Sequence, residues 1–98
     1  MEITSEKTTL VNFYATWCRP SQFMKLNLEV VANKYGTQID FYRIDVDQQP
    51  DLAEQFQIRS VPTTFIFKHN EVKWKQARLV PAGEIIKVME WIKKMKLI

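Results

Sequence analysis

A chain of 98 residues, 46% of them apolar and 12% aromatic, can bury the core of one compact domain and is too short for two, so residues 1–98 read as a single domain. Fourteen Lys and Arg against eleven Asp and Glu leave a charge of +3, partly gathered at Lys87, Lys93, Lys94 and Lys96 without the interleaved aromatics of a nucleic-acid-binding stripe. No apolar run reaches membrane-spanning length, Met1 to Lys7 contain no hydrophobic signal core, and one Cys with one His supplies neither an internal disulfide nor a protein-only tetrahedral zinc site. These features point away from nucleic acid, membrane, metal and other cofactors, and toward a soluble, cytoplasmic protein.

Leu10-Val11-Asn12-Phe13-Tyr14-Ala15 is a short apolar run rich in β-formers, of the length expected for a strand buried on both faces. It ends at Thr16-Trp17-Cys18-Arg19-Pro20-Ser21, which holds the only cysteine. From Pro20 to Tyr35 the apolar positions Met24, Leu28, Val31 and Tyr35 recur at steps of four, three and four, one face of a helix, and Gly36 supplies the left-handed residue that closes it. Ile39 to Val46 is a second β-rich segment with Tyr42, Ile44 and Val46 on one face. Asp45 and Asp47 share a strand face without an acid–base partner, and read as solvated residues that help to begin the next turn. Pro50 breaks the strand, and Leu52, Ala53 and Phe56 predict a short helix with one buried side.

Thr63 to Phe67 reads as another core strand, and His69-Asn70 occupies the place of a two-residue hairpin turn. In that turn the lone histidine is expected to be solvated rather than a catalytic base. Val72 and Trp74 then alternate with Lys73 and Lys75, lysines that suit the exposed side of an edge strand. Pro81 opens a last helix whose apolar stripe is Ile85, Val88, Met89, Ile92 and Met95. The order β-α-β-α-β-β-α predicts an α/β fold with parallel strands joined by helices and a closing antiparallel hairpin.

That order places Cys18 at a strand-to-helix junction, where unpaired backbone N–H groups and the helix dipole favour negative charge. Arg19 adds a neighbouring cation, and Pro20 is tolerated in the first turn because its missing N–H had no intrahelical partner. Trp17 can shield one side of the sulfur while leaving a lip open. These features favour a reactive thiolate; the other reading of the same residues is a small buried hydrophobe.

The segments VNFYATWCRPS, RIDVDQQPDLAEQF and IRSVPTTFIFKHNEV, followed by an amphipathic helix, resemble the thioredoxin family over nearly the whole chain, in content, order and separation. The resemblance implies a thioredoxin fold trimmed at its amino terminus, a four-stranded mixed sheet flanked by helices, with Ile3 and Thr4 as a possible short edge segment. It implies that Cys18 is the nucleophile that forms a mixed disulfide with a substrate. It further implies that Val61-Pro62 is a cis-proline loop facing Cys18, whose Val61 backbone pairs with an extended substrate like an added strand. Trp17, Arg19 and Pro20 complete the substrate-facing rim, and Thr63 continues the family's proline-threonine pair.

The departures are as informative. Ser21 stands at the position of the resolving cysteine, and a hydroxyl cannot displace a thiol from a mixed disulfide. Asn12 stands at the buried-acid position, Arg78 at a glycine beside the substrate groove, and Leu26 at a proline that bends the first helix, so a straighter helix is expected. Three readings follow. Cys18 makes mixed disulfides with cysteine-containing proteins and an external thiol such as glutathione resolves them, in a monomer that oxidises to a Cys18-linked dimer. Alternatively, the chain is a non-enzymatic peptide-binding module, or a dithiol thioredoxin engineered into a trap at Ser21. Asn12, Arg78 and Leu26 are departures that a single engineered substitution does not explain.

Overall fold

The computed structural model describes residues 6–95. In chain order they form β1 (Thr8–Tyr14), α1 (Arg19–Tyr35), a 3-10 turn (Gly36–Gln38), β2 (Ile39–Asp45), α2 (Pro50–Gln55), β3 (Thr63–Lys68), β4 (Glu71–Gln76) and α3 (Ala82–Lys94). The expected edge segment at Ile3 and Thr4 lies outside the described residues.

The sheet order is β2-β1-β3-β4. β1 pairs with β2 in parallel, whereas β1 with β3 and β3 with β4 are antiparallel. The expectation that all helix-linked strands run parallel is thus corrected at β3. α1 has 17 residues and rises about 25 Å, enough to carry the chain back along a seven-residue strand of about 23 Å. α2 has six residues and rises only about 9 Å, so the chain enters β3 from the end at which β2 finished. The result is the mixed four-stranded sheet that the resemblance implied.

Opposite faces of the strands feed two cores. Leu10 and Ile66 pack under Met24, Leu28 and Val31 of α1 and Ile85, Met89 and Ile92 of α3. Val11, Ile44 and Phe67 face the other way, under α2 and the loop after it. There Phe13, Phe56, Phe65 and Phe67 form a ring cluster with centroids 5.3 to 6.0 Å apart, the separation favoured by aromatic pairs. β1 is central and buried, while β2 is an edge whose Tyr42 stays exposed.

Local signals hold at several points. The four predicted apolar positions of α1 are all buried, Gly36 takes φ +52°, and α1 runs as one element through the exposed Leu26. His69 and Asn70 adopt φ +54° and +61°, the pair of left-handed residues that a type I′ hairpin requires. The expected alternation beyond the turn is corrected by a bulge. Ile66 pairs with Trp74 but Phe67 with Val72, which leaves Lys73 as the extra residue and turns Val72 and Trp74 to opposite faces. Trp74 packs on the α1/α3 core, Val72 is exposed, and Lys73 lies largely covered with its ammonium 2.8 Å from Glu71. Among the described residues no helix is long and apolar enough to cross a membrane, and no three acidic, His or Cys side chains gather as a metal site.

Candidate active site

β1 delivers the chain to the top of the sheet, and the turn Thr16-Trp17 directs it into α1. Cys18 is the N-cap residue of α1, with extended φ −96° and ψ 116°. Its N–H donates to the Ala15 carbonyl at 3.2 Å, and its carbonyl accepts from the Gln22 N–H at 3.3 Å. The side chain makes no capping bond and the first turn of α1 holds no acid, so no carboxylate of that turn competes for the helix's unpaired N–H groups. Cys18 is half-buried, and its thiol points at the Val61 carbonyl, with Sγ 3.5 Å from the oxygen. The Val61–Pro62 peptide is cis, with Pro62 buried and Val61 half-buried. Two segments far apart in sequence therefore meet at one sulfur.

Ser21 lies beneath Cys18, one turn into α1 and 1% exposed. Its Oγ accepts the Ala15 N–H at 3.4 Å, so the hydroxyl helps to hold the turn that presents Cys18. Below it, Asn12 is fully buried and bridges three strands: Nδ2 donates to Thr64 Oγ1 at 3.0 Å, and Oδ1 accepts from Arg43 Nε at 3.2 Å. Arg43 lies on the Tyr14 ring, its guanidinium carbon 3.9 Å from the centroid. Burial pulls the Arg43 pKa below its ordinary value, with partial compensation from Tyr14 and Glu29. The position at which the resemblance implies a buried acid thus holds a neutral amide engaged at both ends.

Around this centre the rim residues are exposed: Arg19, Pro20, and Trp17 at 71%. The Trp17 indole N–H donates to Asp47 Oδ2 at 2.8 Å. Asp47 is exposed as expected but has this further task, which no local pattern announces for a residue 30 positions away. Asp45 Oδ1 accepts from the N–H groups of Asp47 at 2.9 Å and Gln48 at 3.4 Å, the turn-starting role expected of it. Thr63 Oγ1 donates to the Ser60 carbonyl at 2.7 Å and steadies the proline loop. Arg78 is tied to Glu84 of α3, with further bonds to Gln76 Oε1 at 3.1 Å and the Leu79 carbonyl at 3.5 Å. His69 sits at the other end of β3, its Nδ1 3.7 Å from Glu6. Arg43, Thr64 and Asp47 are the site residues that sequence reasoning missed or under-read; all three act through contacts across strands or loops.

Comparison with known proteins gives the family and the fold. The Thioredoxin family profile matches residues 1–94. The chain is 38% identical over 86 residues to chloroplastic thioredoxin Y of Oryza sativa, covering 88% of this chain but only 51%, about half, of that protein. It is also 38% identical over 86 residues to a thioredoxin-like protein of Synechocystis, covering 88% of this chain and 82% of that one. Among solved structures, the germline-specific thioredoxin Deadhead of Drosophila superposes with a TM-score of 0.80 at 28% identity, covering 91% of this chain and 84% of that one. Chloroplastic thioredoxin z superposes at 0.82 with 29% identity, covering 91% and 80%. With a family profile spanning nearly its whole length and a relative 38% identical over 88% of it, this chain belongs to the thioredoxin family.

Proposed function

We propose that the protein is a monothiol thiol–disulfide exchanger. The observation that carries this reading is the Cys18 sulfur at the start of α1, 3.5 Å from the Val61 carbonyl beside a cis proline, with Ser21 in place of a second thiol. The Cys18 thiolate attacks one sulfur of a protein disulfide. A new S–S bond to Cys18 forms, and the other substrate sulfur leaves as a thiolate. An extended substrate segment lies along Val61, and Trp17, held by Asp47, forms one wall with Arg19 and Pro20 at the rim. Arg78, already paired with Glu84, offers at most a partly neutralised contact at the edge of the groove.

The chain has no second cysteine with which to expel its substrate. Resolution therefore falls to an external thiol, such as glutathione, or to another cysteine of the substrate. Turnover of insulin disulfides with dithiothreitol tests the reading. With dithiothreitol as the external thiol, the parent protein is expected to turn over slowly but faster than Cys18→Ala, and Ser21→Cys to gain activity several-fold; a parent no faster than Cys18→Ala would favour a peptide-binding module without exchange chemistry.

A further inference from the structure

An open groove of about 430 Å³ lies between the first turns of α1 and the carboxyl ends of β1 and β2, beside Ser21. One wall holds Ser21, Gln22 and Lys25; the other holds Tyr14, Thr16 and Arg43. Among the described residues, two cations line the groove and no carboxylate does. The geometry of Arg43 is unusually restricted for an arginine. Its Nε is taken by Asn12 and its plane rests on Tyr14, so among the described residues its outer nitrogens have no hydrogen-bonding partner. Lys25, one turn beyond Ser21, is exposed and makes no ion pair among the described residues. Glu29 attracts Arg43 electrostatically but forms no ion pair with it and does not line the groove.

A guanidinium fixed at Nε and along one face presents its remaining N–H groups in the fork that fits a carboxylate, and partial burial strengthens that contact. Lys25 adds a mobile point charge across the gap, and Thr16 a hydroxyl at its mouth. The volume suits a small molecule rather than a folded partner. We propose that this groove is a carboxylate site that selects an acidic low-molecular-weight thiol as the resolving partner of Cys18. The resolving role rests on the exchange chemistry proposed above; the carboxylate site does not. Anchored beside Ser21, one helical turn from Cys18, such a thiol attacks the Cys18 sulfur of the mixed disulfide and expels the substrate as a thiolate. A second molecule of the thiol then attacks the first one's sulfur, forms the oxidised small-molecule disulfide and frees the Cys18 thiolate. Two thiols are oxidised and one substrate disulfide is reduced.

Two measurements test this separately. In the first, Cys18→Ala protein, unable to form disulfides, is titrated with S-methylglutathione and its diethyl ester while backbone amide shifts are followed. Saturable shifts at Ser21, Gln22 and Lys25 are expected with the carboxylates free, several-fold weaker binding in a Cys18→Ala/Lys25→Glu protein, and none with the ester. Lys25 makes no bond that the fold depends on, so its reversal leaves the protein folded; shifts elsewhere, or binding indifferent to Lys25→Glu, would overturn the site. In the second, the Cys18 mixed disulfide with thiopyridine is released by glutathione or its diethyl ester. A preference for glutathione that disappears in Lys25→Glu is expected, and equal rates in the parent protein would overturn the resolving role. Probe binding without any mixed disulfide would instead contradict the exchange reading and leave the carboxylate site standing.

Discussion

At position 12 a neutral amide does the work of joining β1 to β2 and β3, with Arg43 as donor on one side and Thr64 as acceptor on the other. Because Asn12 is fully buried, removing its amide leaves a half-buried guanidinium N–H without an acceptor and a buried hydroxyl without a donor. Asn12→Val is therefore expected to cost about 2 kcal/mol, read as a lower urea midpoint at unchanged slope, and an unchanged midpoint would show that the bridge is dispensable. Position 12 itself could be singled out from the sequence through the family resemblance. Its partners could not, since they lie 31 and 52 positions away and pairing across strands leaves no local periodicity. The same holds for Trp17, which was legible as a rim residue while its anchor Asp47 looked like an ordinary strand-end acid. Cys18 and Ser21 were legible because a single helix start contains both.

Among the elements, those defined by short-range rules could be read directly. The α1 stripe follows from 3.6-residue periodicity, and the His69-Asn70 turn from the tolerance of Asn for positive φ. His69 also takes positive φ, at a cost that better-suited residues avoid. Replacing the pair by His69→Asn with Asn70→Gly is expected to stabilise the protein by about 1 kcal/mol, seen as a raised urea midpoint; a lowered one would mean that the His69 contact with Glu6 matters more than the turn geometry. Two features of the sheet escaped pattern reading. The bulge at Lys73 inverts the facing of Val72, and the brevity of α2 reverses β3 relative to β1. Both depend on how segments fit against neighbours, which alternation within one segment does not record.

For the molecule as a whole, the two helices packed on one face of the sheet are joined by a tie that responds to pH. Tyr35, at the carboxyl end of α1, donates its hydroxyl to Glu90 of α3 at 2.6 Å. That bond, with smaller help from Lys93, Lys34 and Lys94, holds the Glu90 carboxyl below its ordinary pKa, while burial and Glu90 together raise Tyr35 far above its own. A depressed carboxylate contributes stability above its unfolded pKa of about 4.3 and loses it as pH falls; a raised phenol contributes below about pH 10 and loses it as pH rises. The stability difference between the parent and Tyr35→Phe is therefore expected to be largest between those limits and to shrink by about pH 3, whereas a constant difference would contradict the tie. Glu71 is lowered by Lys73 in both proteins and cancels in the comparison. Above this scaffold stands the claim that Cys18 opens disulfides which the chain cannot close by itself. Intact-mass spectrometry after exposure to oxidised glutathione and removal of all free thiol tests that claim most directly. The account predicts a single glutathione adduct on Cys18 that persists until an external thiol is added and is absent in Cys18→Ala. No adduct, or an adduct lost without any external thiol, would contradict it.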